Sequence, residues 1–175
     1  MQKRNLFIAS ATAILTLGVA AVPASADPTS ATITVTGGAL VITVPTTAGS
    51  LGSQANTVLG VTISGPLGQV QVNDARSPAA GAGWVASAIA TAFTPSAGPA
   101  IAASAVSYSA GTVVKVGTAT YTANDPGSLT GVAPVLTATG ITGDNRATWN
   151  PTISVTLPGG MAAGTYAATI THSVV

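Results

Sequence analysis

The chain is short of most of the parts that chemistry needs. Its 175 residues contain no cysteine, no glutamate and a single histidine, and only 5% are charged. Without cysteine there is no disulfide framework, no thiolate zinc site and no thiol nucleophile. One histidine rules out a His–His metal pair, and no metal or cofactor is expected. Aromatic residues are 4% of the total. The helix formers Glu, Lys and Arg are nearly missing, which argues against long helices. No basic stripe exists to neutralise phosphates, so nucleic acid is not expected as a partner.

What is present is apolar and β-forming. Hydrophobic residues make up 47%, with 20 glycines and 11 prolines, and Thr and Val abound. A disordered chain would show the reverse balance of charge and apolar content. The first 26 residues read as a secretory signal peptide: Lys3 and Arg4, an apolar run from Leu6 to Val22, Pro23, then Ala24-Ser25-Ala26 before Asp27. The competing reading is a retained anchor, since that run is near the lower length for spanning a bilayer. Cleavage leaves residues 27–175 as one domain, secreted and without a membrane anchor. Loss of Lys3 and Arg4 from the five basic residues leaves three against four Asp, a net charge of −1. Leu157-Pro158-Gly159-Gly160 lacks the threonine of a wall-sorting signal and reads as a turn.

Alternation of apolar and polar residues organises the rest. Residues 31–36 (ATITVT) and 39–44 (ALVITV) flank Gly37-Gly38 and predict a hairpin. Residues 57–64 and 67–73 are strands joined at Gly65-Pro66. Segment 84–93 (WVASAIATAF) is read as a strand with Trp84, Ala86, Ala88 and Ala90 on one face, although its alanines would permit a short helix. Residues 94–103 read as a crossover loop, and strands are expected at 112–122 and 132–139. Asn124-Asp125-Pro126-Gly127 and Gly143-Asp144-Asn145 are turns. A last hairpin pairs 149–157 with 164–174, with Val155 opposite Tyr166, Ile153 opposite Ala168 and Trp149 opposite His172. Some ten short strands with Gly and Pro turns predict an all-β, Ig-like Greek-key β-sandwich.

Few residues are left to carry a function. His172 lacks a GxSxG elbow to serve, so packing against Trp149 is its expected role, with titration near neutrality. Asp74 with Arg76, and Asp144 with Arg146, read as exposed pairs of about 0–1 kcal/mol each. Four scattered aspartates offer no glycosidase pair, and the oxygen-rich turns lack EF-hand spacing. Trp84 and Trp149 are read as core plugs; the alternative, a sugar-stacking platform, requires an exposed ring.

Three segments resemble the WxL domain of Gram-positive surface proteins. Residues 70–76 (VQVNDAR) follow its V-x-V-x-D-x-R segment. Gly83-Trp84-Val85-Ala86 stands at the Trp-x-Leu signature, with Ala86 in place of Leu. The C-terminal YAATITHSV follows the distal motif through Tyr166, Thr169 and Thr171, with His172 in place of Trp and Val174 in place of Leu. The likeness covers most of residues 37–175 and is weakest around 94–130. It implies a β-sandwich, noncovalent binding to cell-wall peptidoglycan or to other surface proteins, and Trp84, Tyr166, His172, Asp74 and Arg76 as motif positions. A self-assembling structural subunit is the alternative, because low charge leaves strand edges free to pair.

Overall fold

A computed structural model of the chain describes residues 30–55 and 57–175. The chain divides into two units, Met1–Thr34 and Val35–Val175. The signal-peptide reading of residues 1–26 lies outside the described residues. Of the first unit, Ser30–Thr34 is described, as exposed chain without regular structure.

The second unit is all-β. Its strands are β1 (Leu40–Thr43), β2 (Val61–Pro66), β3 (Val70–Asp74), β4 (Ala82–Ala90), β5 (Thr94–Pro95), β6 (Val106–Ser109) and β7 (Val113–Val116), then β8 (Thr120–Ala123), β9 (Ala133–Ile141), β10 (Asn145–Trp149), β11 (Thr152–Leu157), β12 (Tyr166–Ala167) and β13 (Ile170–Val174). All pair antiparallel, in sheets ordered β1-β3-β10-β7, β2-β11-β6 and β13-β4-β9-β8, with a two-stranded β5-β12 ribbon.

The first two sheets share one plan. In each, a central strand (β10, then β11) is flanked by two others, and β2 continues into β3 as β6 continues into β7. Three bent ribbons therefore turn a corner together, each passing from one sheet to the next. The corners fall at Leu67–Gly68, Ala110–Gly111 and Asn150–Pro151. Gly68 and Gly111 supply positive φ of 97° and 66°. The corners are tied by the Leu67 N–H to the Pro151 carbonyl at 2.8 Å and the Gly68 N–H to Asn150 Oδ1 at 3.1 Å.

Apolar alternation fills one core. Val70 and Val72 of β3, Ala147 and Trp149 of β10, and Ile153 and Val155 of β11 are buried. So are Trp84, Ala86, Ala88 and Ala90 of β4. The strand reading of 84–93 thus holds over Trp84–Ala90, with its predicted face inward, and the strand ends before Thr91. A register shift between Ala86 and Ser87 opposite β9 accompanies burial of the consecutive Val135 and Leu136.

The predicted pairings fare worse. Residues 31–36 form no strand, and β1 pairs with β3 instead. Gly37 and Gly38 are not turn residues: a Cβ on Gly37 would collide with the Arg76 carbonyl oxygen, so close backbone approach is what demands glycine. Strands β2 and β3 do not pair, because the Pro66–Gly68 corner sends them to different sheets. Segment 112–122 breaks into β7 and β8 at Gly117 (φ 103°), where a Cβ would strike the Asn145 side chain. The loop 94–103 carries β5, a Phe93–Ile101 bridge and the start of a 3-10 turn (Ala103–Ala105); β6 beyond it was not expected.

The C-terminal hairpin is also overturned. Strand β11 lies between β2 and β6, while β13 pairs with β4, setting His172 opposite Ala88 and Ile170 opposite Ala90. The face assignments survive, since Trp149, Pro151, Ile153 and Val155 are all buried. Periodicity reports which side chains share a face, and it carries no information on which strand lies alongside.

Candidate functional site

Strand β3 ends on Asp74, whose side chain points inward and is fully buried. Arg76, two residues on, turns back over it. Its Nε donates to Asp74 Oδ1 at 2.8 Å and its Nη2 to Oδ2 at 2.9 Å, and its backbone N–H donates to Oδ1 at 3.2 Å. The pair is therefore not the exposed one expected from sequence. A two-pronged, charge-assisted grip on a buried carboxylate is stronger than a surface contact. It holds the Asp74 carboxyl below the usual carboxylate range, against the opposing effect of burial.

Arg76 Nη2 also donates to the Gly83 carbonyl oxygen at 3.1 Å. That bond joins the end of β3 to β4 at the residue before Trp84. Asp74, Arg76 and Trp84 thus form one constellation, drawn together by the guanidinium. Trp84 is buried, its ring 5.6 Å from that of Tyr121 at 49°. Trp84 Nε1 and the Tyr121 hydroxyl are buried without a hydrogen-bond partner among the described residues. Burial, reinforced by the Asp74 charge, raises the Tyr121 phenol above its ordinary pKa. Trp84 and Asp74 present no surface to a ligand, so these motif positions hold the frame.

His172 belongs to a second cluster. The hydroxyl of Tyr108 accepts the Trp149 indole N–H at 2.8 Å and lies 3.3 Å from His172 Nε2, with the Tyr108 and His172 rings edge to face at 5.7 Å. The expected contact between His172 and Trp149 is thus relayed by Tyr108. Having accepted from Trp149, the hydroxyl is free to direct its own proton at His172 Nε2. The other ring nitrogen, Nδ1, is buried without a partner among the described residues. Desolvation pushes the imidazole pKa down to about 4, so the expected titration near neutrality does not occur. Burial likewise raises the Tyr108 phenol far above its usual range.

The turn aspartates are structural. Asp125 Oδ1 accepts the Ala110 N–H at 2.7 Å, and Asp144 Oδ1 accepts the Ser77 hydroxyl at 2.5 Å instead of pairing with Arg146. Among the described residues no three His, Cys, Asp or Glu side chains cluster as metal ligands would.

Tyr166 stands elsewhere, at a cleft of about 930 Å³ bounded by residues 45–54 and 161–170. Leu51, Ile63, Phe93, Ile101 and Leu157 give it an apolar floor, while Thr, Ser and backbone groups of the two loops supply hydrogen-bonding capacity. Tyr166 is half-buried, its hydroxyl donating to the Ala162 carbonyl oxygen at 2.9 Å. Among the described residues no Asp, Glu, Lys, Arg or His lines the cleft. Sequence reading missed the 45–54 wall because it has no periodicity, and missed Tyr108 although Val106 and Tyr108 alternate.

Comparison with protein-family models, curated proteins and solved structures gives no match. Among the described residues no helix is long and apolar enough to cross a membrane.

Proposed function

We propose that this chain is a secreted, non-enzymatic surface protein that attaches noncovalently to the Gram-positive cell wall, with peptidoglycan as the ligand. The observation that carries this reading is the uncharged cleft between residues 45–54 and 161–170. General acid–base catalysis needs positioned groups that give and take a proton, and among the described residues the only ionisable side chain on this lining is the Tyr166 phenol. An apolar floor with convergent hydroxyl and backbone groups suits binding. Glycan strands and their peptides, rich in hydroxyls and amides, match such a lining through hydrogen bonds and CH contacts. The low charge of the chain leaves little electrostatic steering.

The motif positions support this reading in two ways. Tyr166 lines the cleft directly. Asp74, Arg76 and Trp84 act through the frame, fixing β3 against β4.

The test is co-sedimentation of the purified protein with isolated peptidoglycan, before and after removal of attached wall polymers. Saturable pelleting with stripped peptidoglycan is expected. Ala163→Arg, an exposed substitution on the cleft lining, should abolish it while leaving the circular dichroism spectrum unchanged. Pelleting only when wall polymers remain would transfer the ligand role to those polymers, and no pelleting would overturn wall binding.

A further inference from the structure

We infer that residues 31–36 of one copy add to the free edge of β7 in a second copy, linking molecules head to tail. This goes beyond wall binding and does not depend on it.

The donor segment is Ala31-Thr32-Ile33-Thr34-Val35-Thr36, an alternating β-branched sequence that reads as a strand. It nevertheless forms no strand, and Ile33 and Val35 are 92% and 78% exposed. Val35 and Thr36 make no backbone hydrogen bond to another described residue. Isolated exposed apolar residues are ordinary, but here the strand pattern itself is left unused.

The acceptor is β7, which has β10 on one side and, among the described residues, no strand on the other. Val114 and Val116 are 65% and 55% exposed. Both lie on the outer face of the sheet, opposite Thr148 and Arg146 of β10. Their two-residue spacing matches that of Ile33 and Val35. An antiparallel register of Val35 with Val114 and Ile33 with Val116 makes two β-branched cross-strand pairs and sets Thr34 opposite Lys115. The alternative of two β7 edges pairing valine with valine would set Lys115 against Lys115, a like-charge contact that protects this edge from itself.

The donor must come from another molecule. Gly38 is pinned beside β3, its N–H donating to the Ala75 carbonyl oxygen while the Ala75 N–H donates to the Ala39 carbonyl oxygen. It therefore sits in the line of β1, and a strand added outside β7 lies four strand spacings away, about 19 Å. Val35 is three residues from Gly38, a reach of about 10 Å at full extension. The chain cannot complete its own edge. Because donor and acceptor are different surfaces, the contact is heterologous and propagates to a filament or a ring.

The absence of native cysteine allows a direct test. Purified Val35→Cys and Val114→Cys chains are mixed under mild oxidation. A mixed disulfide is expected, at least tenfold more abundant than from Val35→Cys mixed with Thr122→Cys on the β8 edge. Light scattering of the unsubstituted protein should give a mass that rises with concentration. Ile33→Asp with Val35→Asp should return it to monomer with an unchanged melting temperature, since neither side chain is buried. Cross-linking no greater than the β8 control, or a monomer at every concentration, would overturn the inference. No wall material enters these measurements, so their failure is distinct from failure of wall binding.

Discussion

The indole N–H of Trp149 donates to the hydroxyl of Tyr108 at 2.8 Å, inside the core where neither group meets water. Trp149 ends β10 at the Asn150–Pro151 corner, and Tyr108 lies in β6 just before the Ala110–Gly111 corner. The bond therefore locks two corners of the bent ribbons. Tyr108→Phe leaves the indole N–H buried without an acceptor, which costs about 1–3 kcal/mol. Chemical denaturation should show the midpoint falling with an unchanged slope; an unchanged midpoint would mean the bond contributes nothing net.

His172 makes stability fall in mild acid. Its folded pKa of about 4 lies below the ordinary 6.5, so between those values the unfolded chain binds the extra proton. Its contribution is complete above pH 6.5 and is lost as pH falls through 4, at a slope on the order of 1 kcal/mol per pH unit. His172→Gln should flatten the stability profile between pH 6.5 and 4. A ring-proton titration by NMR with a midpoint near 6.5 would contradict this.

The Asp74–Arg76 pair acts at lower pH. Because the folded pKa of Asp74 is lowered from 3.8, its stabilisation is present above that value and disappears as pH falls through the lower folded value. Arg76→Ala strands a buried carboxylate. The expected loss is on the order of 2 kcal/mol, less than for a fully buried pair because the guanidinium reaches the surface. Arg76→Lys should recover little, since an ammonium cannot grip both carboxylate oxygens and the Gly83 carbonyl in one plane. Thermal melts at pH 7 and pH 3 separate these effects.

Trp84→Ala is expected to destabilise the fold by roughly 3–5 kcal/mol. Any wall binding should then be lost together with the folded baseline, not separately. Loss of pelleting with an unchanged melting temperature would mean that the Trp84 ring reaches the ligand, contrary to its burial.

The β class, the inward faces of 70–74, 84–90 and 149–157, and the turn at Gly143-Asp144-Asn145 were legible in the sequence. Alternation and turn chemistry are local, and local sterics express them wherever the strand ends up. The Asp74–Arg76 spacing was visible too, although its burial was not. Strand partners were illegible, and each error has the same form. Gly37-Gly38 and Pro158-Gly159-Gly160 read locally as hairpin turns between the segments beside them. Strands β1, β11 and β13 instead pair with strands distant in sequence.

What the sequence alone determined is therefore the periodicity of each strand, the scarcity of ionisable groups and the motif spacing. Only the tertiary structure decided that Arg76 links β3 to Trp84, that Tyr108 stands between Trp149 and His172, and that a cleft without charge opens beside Tyr166. Pairing and burial depend on contacts between residues far apart in the chain. A two-residue pattern is satisfied by any neighbour that covers the apolar face.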